Sequence, residues 1–281
     1  MRKHSMNVYL KEKLRAALRR RNIYVFRGLP RGIEVAYDLN CVLGGEHFTT
    51  IFDVGANVGS TTNSFLVDYP GAHIWAFEPS RKLYSVLANG LSQCKRVTCE
   101  QMAVGSSVGE ATLLHTQDTT MFHIATSGGS PLGNDTAADS EAVEMTTLDL
   151  YCRQRSINTI DFLKIDTEGH DLEVLRGAAS MLTQGTIGCV QCECGLNPEN
   201  AFHRPLEEVK NFIESYGYRM FGLYEQVHEW PTNEPHLRRA NVVFASPHVI
   251  DRYRYGHGGG SAKANVVNET GVSSNAQVSC G

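Results

Sequence analysis

The sequence predicts an α/β domain: a doubly wound, mostly parallel sheet that ends in an antiparallel strand. Three observations carry this. From residue 50 onward, short apolar runs alternate with segments of helical periodicity, the rhythm of strands joined by crossover helices. The run Ile51-Phe-Asp-Val-Gly-Ala-Asn-Val-Gly59 leads a strand into a small-residue turn that opens a helix, which puts a ligand-binding turn at a strand's carboxyl end. The last two apolar runs, Tyr218-Arg-Met-Phe-Gly-Leu-Tyr224 and Ala240-Asn-Val-Val-Phe-Ala245, are joined by a polar, proline-containing segment, the pattern of a hairpin.

The elements follow in order. Residues 7–22 set Val8, Leu10, Leu14, Ala17 and Leu18 against Lys11, Lys13, Arg15, Arg19, Arg20 and Arg21, a basic amphipathic helix. It is expected to pack on the domain edge with its basic face in water. Weak peripheral contact with an anionic membrane is the alternative. Residues 23–47 read as a short strand or hairpin and then a lead-in helix or loop, so 1–49 form an N-terminal extension. The domain proper spans 50–247. It starts with a strand at 50–54, a helix at 58–68, a strand at 73–78, a helix at 80–92 and a strand at 96–104. Residues 109–115 and 141–147 pair as extra strands around a polar loop, 116–140. A loop that long inside a compact domain is functional or disordered, and with Met121, Phe122 and His123 it is expected to be a substrate-facing lid. A short helix at 147–155, a strand at 161–166, a helix at 170–183, a strand at 187–193 and a helix at 205–216 lead to the closing strands, 218–225 and 239–246. The tail, 256–281, is rich in Gly, Ser and Asn, cannot repay its ordering entropy and is expected to be disordered.

Composition narrows the function. A chain of 281 residues with 42% apolar content buries one substantial core. A formal charge of -4 supplies no overall basic field, so a nucleic-acid acceptor is not expected. No apolar run reaches the about 20 residues that a membrane-spanning helix needs, and the amino terminus lacks a secretory apolar stretch. A cytoplasmic protein without stable membrane insertion is expected. The 8 cysteines then read as reduced thiols. Cys189, Cys192 and Cys194 share one strand, where Cys189 points opposite to Cys192 and Cys194, so the three are not expected to converge on zinc.

The strand-to-helix turn identifies a cofactor class. A dinucleotide fold needs Gly-x-Gly-x-x-Gly so that a pyrophosphate can approach the backbone, and here Asn57 stands between Gly55 and Gly59. Asp53, at the strand end, would repel a pyrophosphate but favour the amino group of S-adenosylmethionine. The next strand ends at Glu78-Pro79, where a carboxylate can accept from both hydroxyls of a ribose. Both residues fall at the carboxyl ends of adjacent strands and flank one crevice. An apolar strand of Phe162, Leu163 and Ile165 ends at Asp166, beside the same crevice.

These blocks resemble a known family. Asp53-Val-Gly-Ala-Asn-Val-Gly-Ser60, Phe77-Glu-Pro-Ser80 and Lys164-Ile-Asp-Thr-Glu-Gly-His-Asp-Leu-Glu-Val-Leu-Arg-Gly-Ala178 are similar to the three hallmark blocks of FkbM-family methyltransferases. The similarity extends to Met102-Ala-Val-Gly105, to Gly217-Tyr-Arg-Met-Phe221 and to Asn241-Val-Val-Phe244, from about residue 20 to 247. Asp171 stands where the family usually has Glu. The resemblance implies a class I, Rossmann-like methyltransferase fold and O-methylation by S-adenosylmethionine of a small-molecule or glycan acceptor: a sugar, glycolipid or natural product. Asp53, Gly55, Asn57, Gly59, Glu78, Pro79, Met102, Ala103 and Asp166 are the expected cofactor-binding residues. Removing a hydroxyl proton calls for a base at the strand ends, with Asp166, His170 and Glu193 as the catalytic candidates and Glu168 beside them. Asp166, Glu168, His170 and Glu193 also carry ligand atoms suited to Mg²⁺, but their spacing matches no metal motif and none is expected. Two other functions compete: an NAD-dependent oxidoreductase on a related sheet, disfavoured by Asn57, and a module that binds S-adenosylmethionine without turnover.

Overall fold

The computed structural model describes residues 2–26, 28–43, 48–115, 122–125 and 140–256. In chain order the elements are α1 (Arg2–Arg19), α2 (Val35–Leu43), β1 (Thr50–Val54), α3 (Ser60–Asp68), β2 (His73–Phe77), α4 (Arg81–Leu91), β3 (Val97–Glu100), β4 (Ala103–Val104), β5 (Gly109–His115), β6 (Phe122–Ala125) and β7 (Ser140–Thr146). Then come α5 (Leu148–Arg155), β8 (Ile160–Ile165), α6 (Asp171–Arg176), α7 (Ala179–Gln184), β9 (Ile187–Gly195), α8 (Leu206–Glu214), β10 (Arg219–His228), β11 (Leu237–Ala245) and α9 (Pro247–Gly256).

A seven-stranded sheet in the order β10-β11-β9-β8-β1-β2-β3 forms the centre. The pairs among β3, β2, β1, β8 and β9 are parallel, while β11 runs antiparallel to both β9 and β10. This is the doubly wound sheet with a terminal antiparallel strand read from the sequence. Successive strands build outward from β1 toward β3 on one side and resume at β8 on the other. The carboxyl ends of β1 and β8 therefore bound a switch point, where open α/β sheets bind ligands.

Both faces of the sheet are buried because β1, β8 and β9 are apolar on both. One face sets Phe52, Phe77, Leu163, Ile165, Val190 and Cys192 against Val174, Leu175, Tyr151 and Val209. The other sets Ile51, Ile74, Phe162 and Cys189 against Phe65, Tyr69 and Leu39. Cys189 and Cys192 thus belong to opposite faces, as strand alternation requires. Leu39 of α2 is fully buried in that second face, so the lead-in helix expected late in 23–47 forms and belongs to the core, while the strand or hairpin expected before it does not form among the described residues.

Three other elements differ from the sequence reading, and one pairing agrees with it. The strand expected over 96–104 divides: β3 joins the central sheet, and β4 starts a second sheet in the order β4-β7-β5-β6. The predicted pairing of 109–115 with 141–147 is β5 against β7, antiparallel. The helix expected over 170–183 breaks at Gly177, where any Cβ would overlap the Gly105 carbonyl oxygen. Asp149 mends the break by accepting from Ser180 and Met181 N–H at 2.8 and 3.0 Å, which caps α7. Helix α9 was not foreseen.

The amino-terminal helix also departs from expectation. Tyr9, Leu10 and Leu14 remain 63%, 69% and 61% exposed, so these three apolar residues of α1 do not pack on the domain. Within the loop expected to act as a lid, 122–125 form β6 beside β5. The rest of that loop, Met121 included, and the tail 257–281 lie outside the described residues. Among the described residues no helix is long and apolar enough to cross a membrane.

Candidate active site

The crevice lies at the switch point. Val54, Gly55, Asn57, Phe77, Glu78 and Pro79 line one side, Met102, Ala103, Val104 and Leu113 a second, and Asp166, Thr167 and Glu168 a third, around a cavity of about 100 Å³. A larger cavity of about 520 Å³ opens at the opposite strand ends, among Thr159, Asp161, Thr186 and Pro247. Its one acid, Asp161, already accepts from Thr49 and Thr50 N–H and the Thr49 hydroxyl, so that carboxylate ties β8 to the start of β1 and is spent on the fold.

Gly55 sets the floor. It has φ +79°, a left-handed conformation that favours glycine, and a Cβ there would overlap the Asp166 carbonyl oxygen. Gly55 and Ala56 N–H both donate to Phe77 O, at 3.0 and 2.9 Å, which ties the turn to the end of β2. Asn57 follows with φ +52°, aiming its own N–H at Glu78 Oε2, 2.9 Å away. Ser80 N–H donates to Glu78 Oε1 at 2.9 Å. The Glu78 carboxylate is thereby fixed between two backbone donors with lone pairs left over. Burial pushes its pKa up to about 7, against the downward pull of those two N–H groups.

Asp53 does not reach the crevice. It is fully buried, accepts from the Thr62 hydroxyl at 2.6 Å and lies 3.2 Å from Lys164 Nζ. The expected contact with a cofactor amino group is therefore replaced by an internal ion pair. Lys164 carries no site role in the sequence reading, yet it organises this floor. It sits opposite Asp53 in the β1–β8 register, two residues before Asp166, so both carboxylates fall on its face. Its Nζ is 3.3 Å from Asp166 Oδ2 and donates to Gly55 O at 3.1 Å. Burial pushes the Lys164 pKa down, Asp53 and Asp166 push it up, and the carboxylates prevail. A lysine inside an apolar strand was the signal for it. Gly59, at φ +90°, serves to start α3 close against Leu87 and is not part of the lining.

The acceptor side contains the other candidates. Asp166 lines the crevice and is 35% exposed. His170 does not line it: its ring is turned toward Gly105 and Met145, its Nε2 is buried without a hydrogen-bond partner, and burial lowers its pKa. Its place at the N-cap of α6, two residues past the last lining residue Glu168, turns the ring away. Glu193 stands behind Glu168, with Oε2 2.7 Å from His203 Nε2 and Oε1 paired with Arg239. Asp171 accepts from the Thr167 hydroxyl at 2.9 Å and from Glu193 N–H at 3.3 Å, clipping the 166–169 turn to β9. Burial pushes Asp171 up to about 6.

His203 is the functional-edge residue that sequence reasoning missed. It follows the carboxyl end of β9, and that position on the ligand side of the sheet was the available signal. Ligand atoms of Glu168, Glu193 and His203 lie within 4.8 Å of one another. That is metal-like spacing, but both Glu193 oxygens already face cationic or N–H groups of the chain, Arg239 and His203.

The site residues fit a methyl donor of the nucleoside sulfonium type: a glycine turn, the clipped Glu78 carboxylate and an apolar wall of Pro79, Met102 and Ala103. The family comparison agrees. The methyltransferase FkbM domain matches residues 53–220. Methyltransferase sdnD from Sordaria araneosa is 29% identical over 156 residues, 45% of this chain and 59% of that relative, so the match spans less than two thirds of the relative's length. Among solved structures, the METTL16 MTase domain overlays with TM-score 0.43 at 11% identity, covering 74% of this chain and 64% of that one. Aeropyrum pernix fibrillarin with bound S-adenosyl-L-methionine overlays with TM-score 0.41 at 13% identity, over 74% of each chain. Overlaps of that size decide nothing about the acceptor. The sheet order, the Gly55 turn, the Glu78 clip and the match over 53–220 together establish that this chain belongs to the FkbM family of S-adenosylmethionine-dependent methyltransferases.

Proposed function

We propose that this chain transfers the methyl group of S-adenosylmethionine to a hydroxyl of a small molecule or glycan. The observation that carries this is the Glu78 clip. A buried carboxylate held by Asn57 and Ser80 N–H keeps lone pairs that suit two ribose hydroxyls, while Asp166 and Glu168 line the same cavity from the other side. A hydroxyl acceptor needs a group to take its proton, and this edge supplies carboxylates for it. The chain's part is to align acceptor and methyl, exclude water and accept that proton.

The oxidoreductase reading loses support on the same geometry. A pyrophosphate needs free backbone N–H groups at the turn, and the Asn57 N–H is already engaged by Glu78. The net charge of -4 supports a small acceptor over a nucleic acid.

The test is incubation with methyl-labelled S-adenosylmethionine and a panel of methyl glycosides, phenols and alicyclic alcohols, with an oligoribonucleotide alongside. Label appearing as a methyl ether, with S-adenosylhomocysteine released in equal amount, is the expected result. Label on the oligonucleotide alone would replace this reading with a nucleic-acid one.

A further inference from the structure

The carboxylates at the acceptor edge are not equivalent. Asp166 is bound to Lys164, and Glu193 is bound to Arg239 and His203. On the side of the lining opposite Glu78, Glu168 is the carboxylate that remains beside Asp166. It has φ +52°, an unusual backbone for a non-glycine residue and one that clusters at functional sites. The following Gly169, φ +93°, has no room for a Cβ because the Phe202 carbonyl oxygen lies there. The 166–169 turn is thus pressed against the 202–203 loop, which brings Glu168 Oε2 to 3.8 Å from His203 Nε2.

The tautomer of His203 follows from its neighbours. Asn200 Oδ1 accepts from the N–H groups of Phe202 and His203, so the amide nitrogen is the end that faces Arg238 O and, at 2.9 Å, His203 Nδ1. Nδ1, closer to that nitrogen than to Asn200 Oδ1 at 3.2 Å, is then the acceptor, and the ring hydrogen sits on Nε2, donated to Glu193 at 2.7 Å. Burial lowers the His203 pKa, in keeping with a neutral ring.

We propose that Glu168 is the general base for the acceptor hydroxyl, and that His203, anchored by Asn200 and Glu193, is its positioning residue. This rests on the methyl-transfer reading above. The acceptor oxygen forms its bond to the methyl carbon with a lone pair while the carbon–sulfur pair returns to sulfur. The hydroxyl proton passes to Glu168, which becomes a neutral acid and later releases it to water. The groups facing Glu168 are Asp166, Asp171, His203 and Arg239, and those facing His203 also include Glu193 and Arg238. Burial, followed by Asp166, raises the Glu168 pKa, which suits a base working near neutrality.

Four measurements test this. With the best acceptor of the panel, Glu168→Gln should lower kcat about 10²-fold or more and leave the Kd for S-adenosylmethionine within about twofold. Asp166→Asn should lower kcat less. His203→Leu leaves Glu193 less compensated beside Glu168, so the acid limb of the kcat–pH profile should move to higher pH, and His203→Gln, which keeps a donor, should restore it. Carbon-13 NMR of the Glu168 carboxyl in the S-adenosylhomocysteine complex needs no acceptor: its midpoint should lie above the usual 4.5 and rise further in His203→Leu. Full turnover by Glu168→Gln, a midpoint at the usual value that ignores His203, or activity lost to EDTA and restored by Mg²⁺ would each overturn the proposal. Absence of any methylated product while the NMR midpoint behaves as stated would instead count against the hydroxyl acceptor.

Discussion

Two residues carry opposite electrostatic burdens beneath the crevice. Glu78 is an anion kept in a site that disfavours its charge, with a pKa pushed up to about 7. A buried acid raised in this way contributes stability that is fully present below its unfolded value of 4.5 and is lost as pH rises through about 7. Ribose hydroxyls need the ionised form, so ligand binding follows the opposite course. The thermal shift produced by saturating S-adenosylmethionine should therefore be larger at pH 8 than at pH 6, and Glu78→Ala should flatten that difference. A ligand-induced shift independent of pH would remove the charged Glu78 from the contact. Lys164 is the reverse case, a cation made comfortable by Asp53 and Asp166. Removing one member of a buried pair strands the other charge at a cost of about 3–5 kcal/mol. Lys164→Met should lose that much in urea denaturation, and adding Asp53→Asn should recover part of it. A loss below about 1 kcal/mol would show that the two carboxylates do not depend on this lysine.

Elements were legible where periodicity and turn chemistry agree, and lost where the chain is steered by a contact distant in sequence. The strands ending at Asp53, Glu78 and Asp166 were found because apolar runs stop at charged residues. The switch from Glu100 to Ala103 was missed because both pieces are extended, and only pairing with β7 shows that the second belongs to another sheet. The helix over 170–183 looked continuous, since Gly177 is tolerable in a helix. At the break the Gly105 carbonyl, 72 positions away in numbering (177 minus 105), occupies the place a Cβ would take. Gly177→Ala should therefore destabilise by about 1–3 kcal/mol, the range for overpacking, rather than stabilise as such a change does in a free helix. A gain in melting temperature would mean that the Gly105 contact relaxes without cost. The site was half legible for a related reason: Gly55, Asn57, Glu78 and Asp166 stand in dense local motifs, whereas His203 joins the edge only through folding, and His170 sits inside a motif yet faces away.

At the scale of the whole molecule, one sheet with one switch point gathers the turn after β1, the end of β2 and the end of β8 around a common cavity. On the proposed reading, the donor half of that cavity is the Gly55 turn with the clipped Glu78 carboxylate, and the acceptor half is made of carboxylates backed by cations. The central claim is that the donor half recognises S-adenosylmethionine through Glu78. Isothermal titration calorimetry of the whole chain at pH 8, with S-adenosylmethionine and with NAD, tests it most directly. Two hydrogen bonds to a charged acceptor contribute about 1.5–3 kcal/mol each, so Glu78→Ala should weaken S-adenosylmethionine binding at least about tenfold in a protein that still folds, and NAD should give no saturable heat. Saturable binding of NAD, or unchanged S-adenosylmethionine affinity in folded Glu78→Ala, would contradict the account.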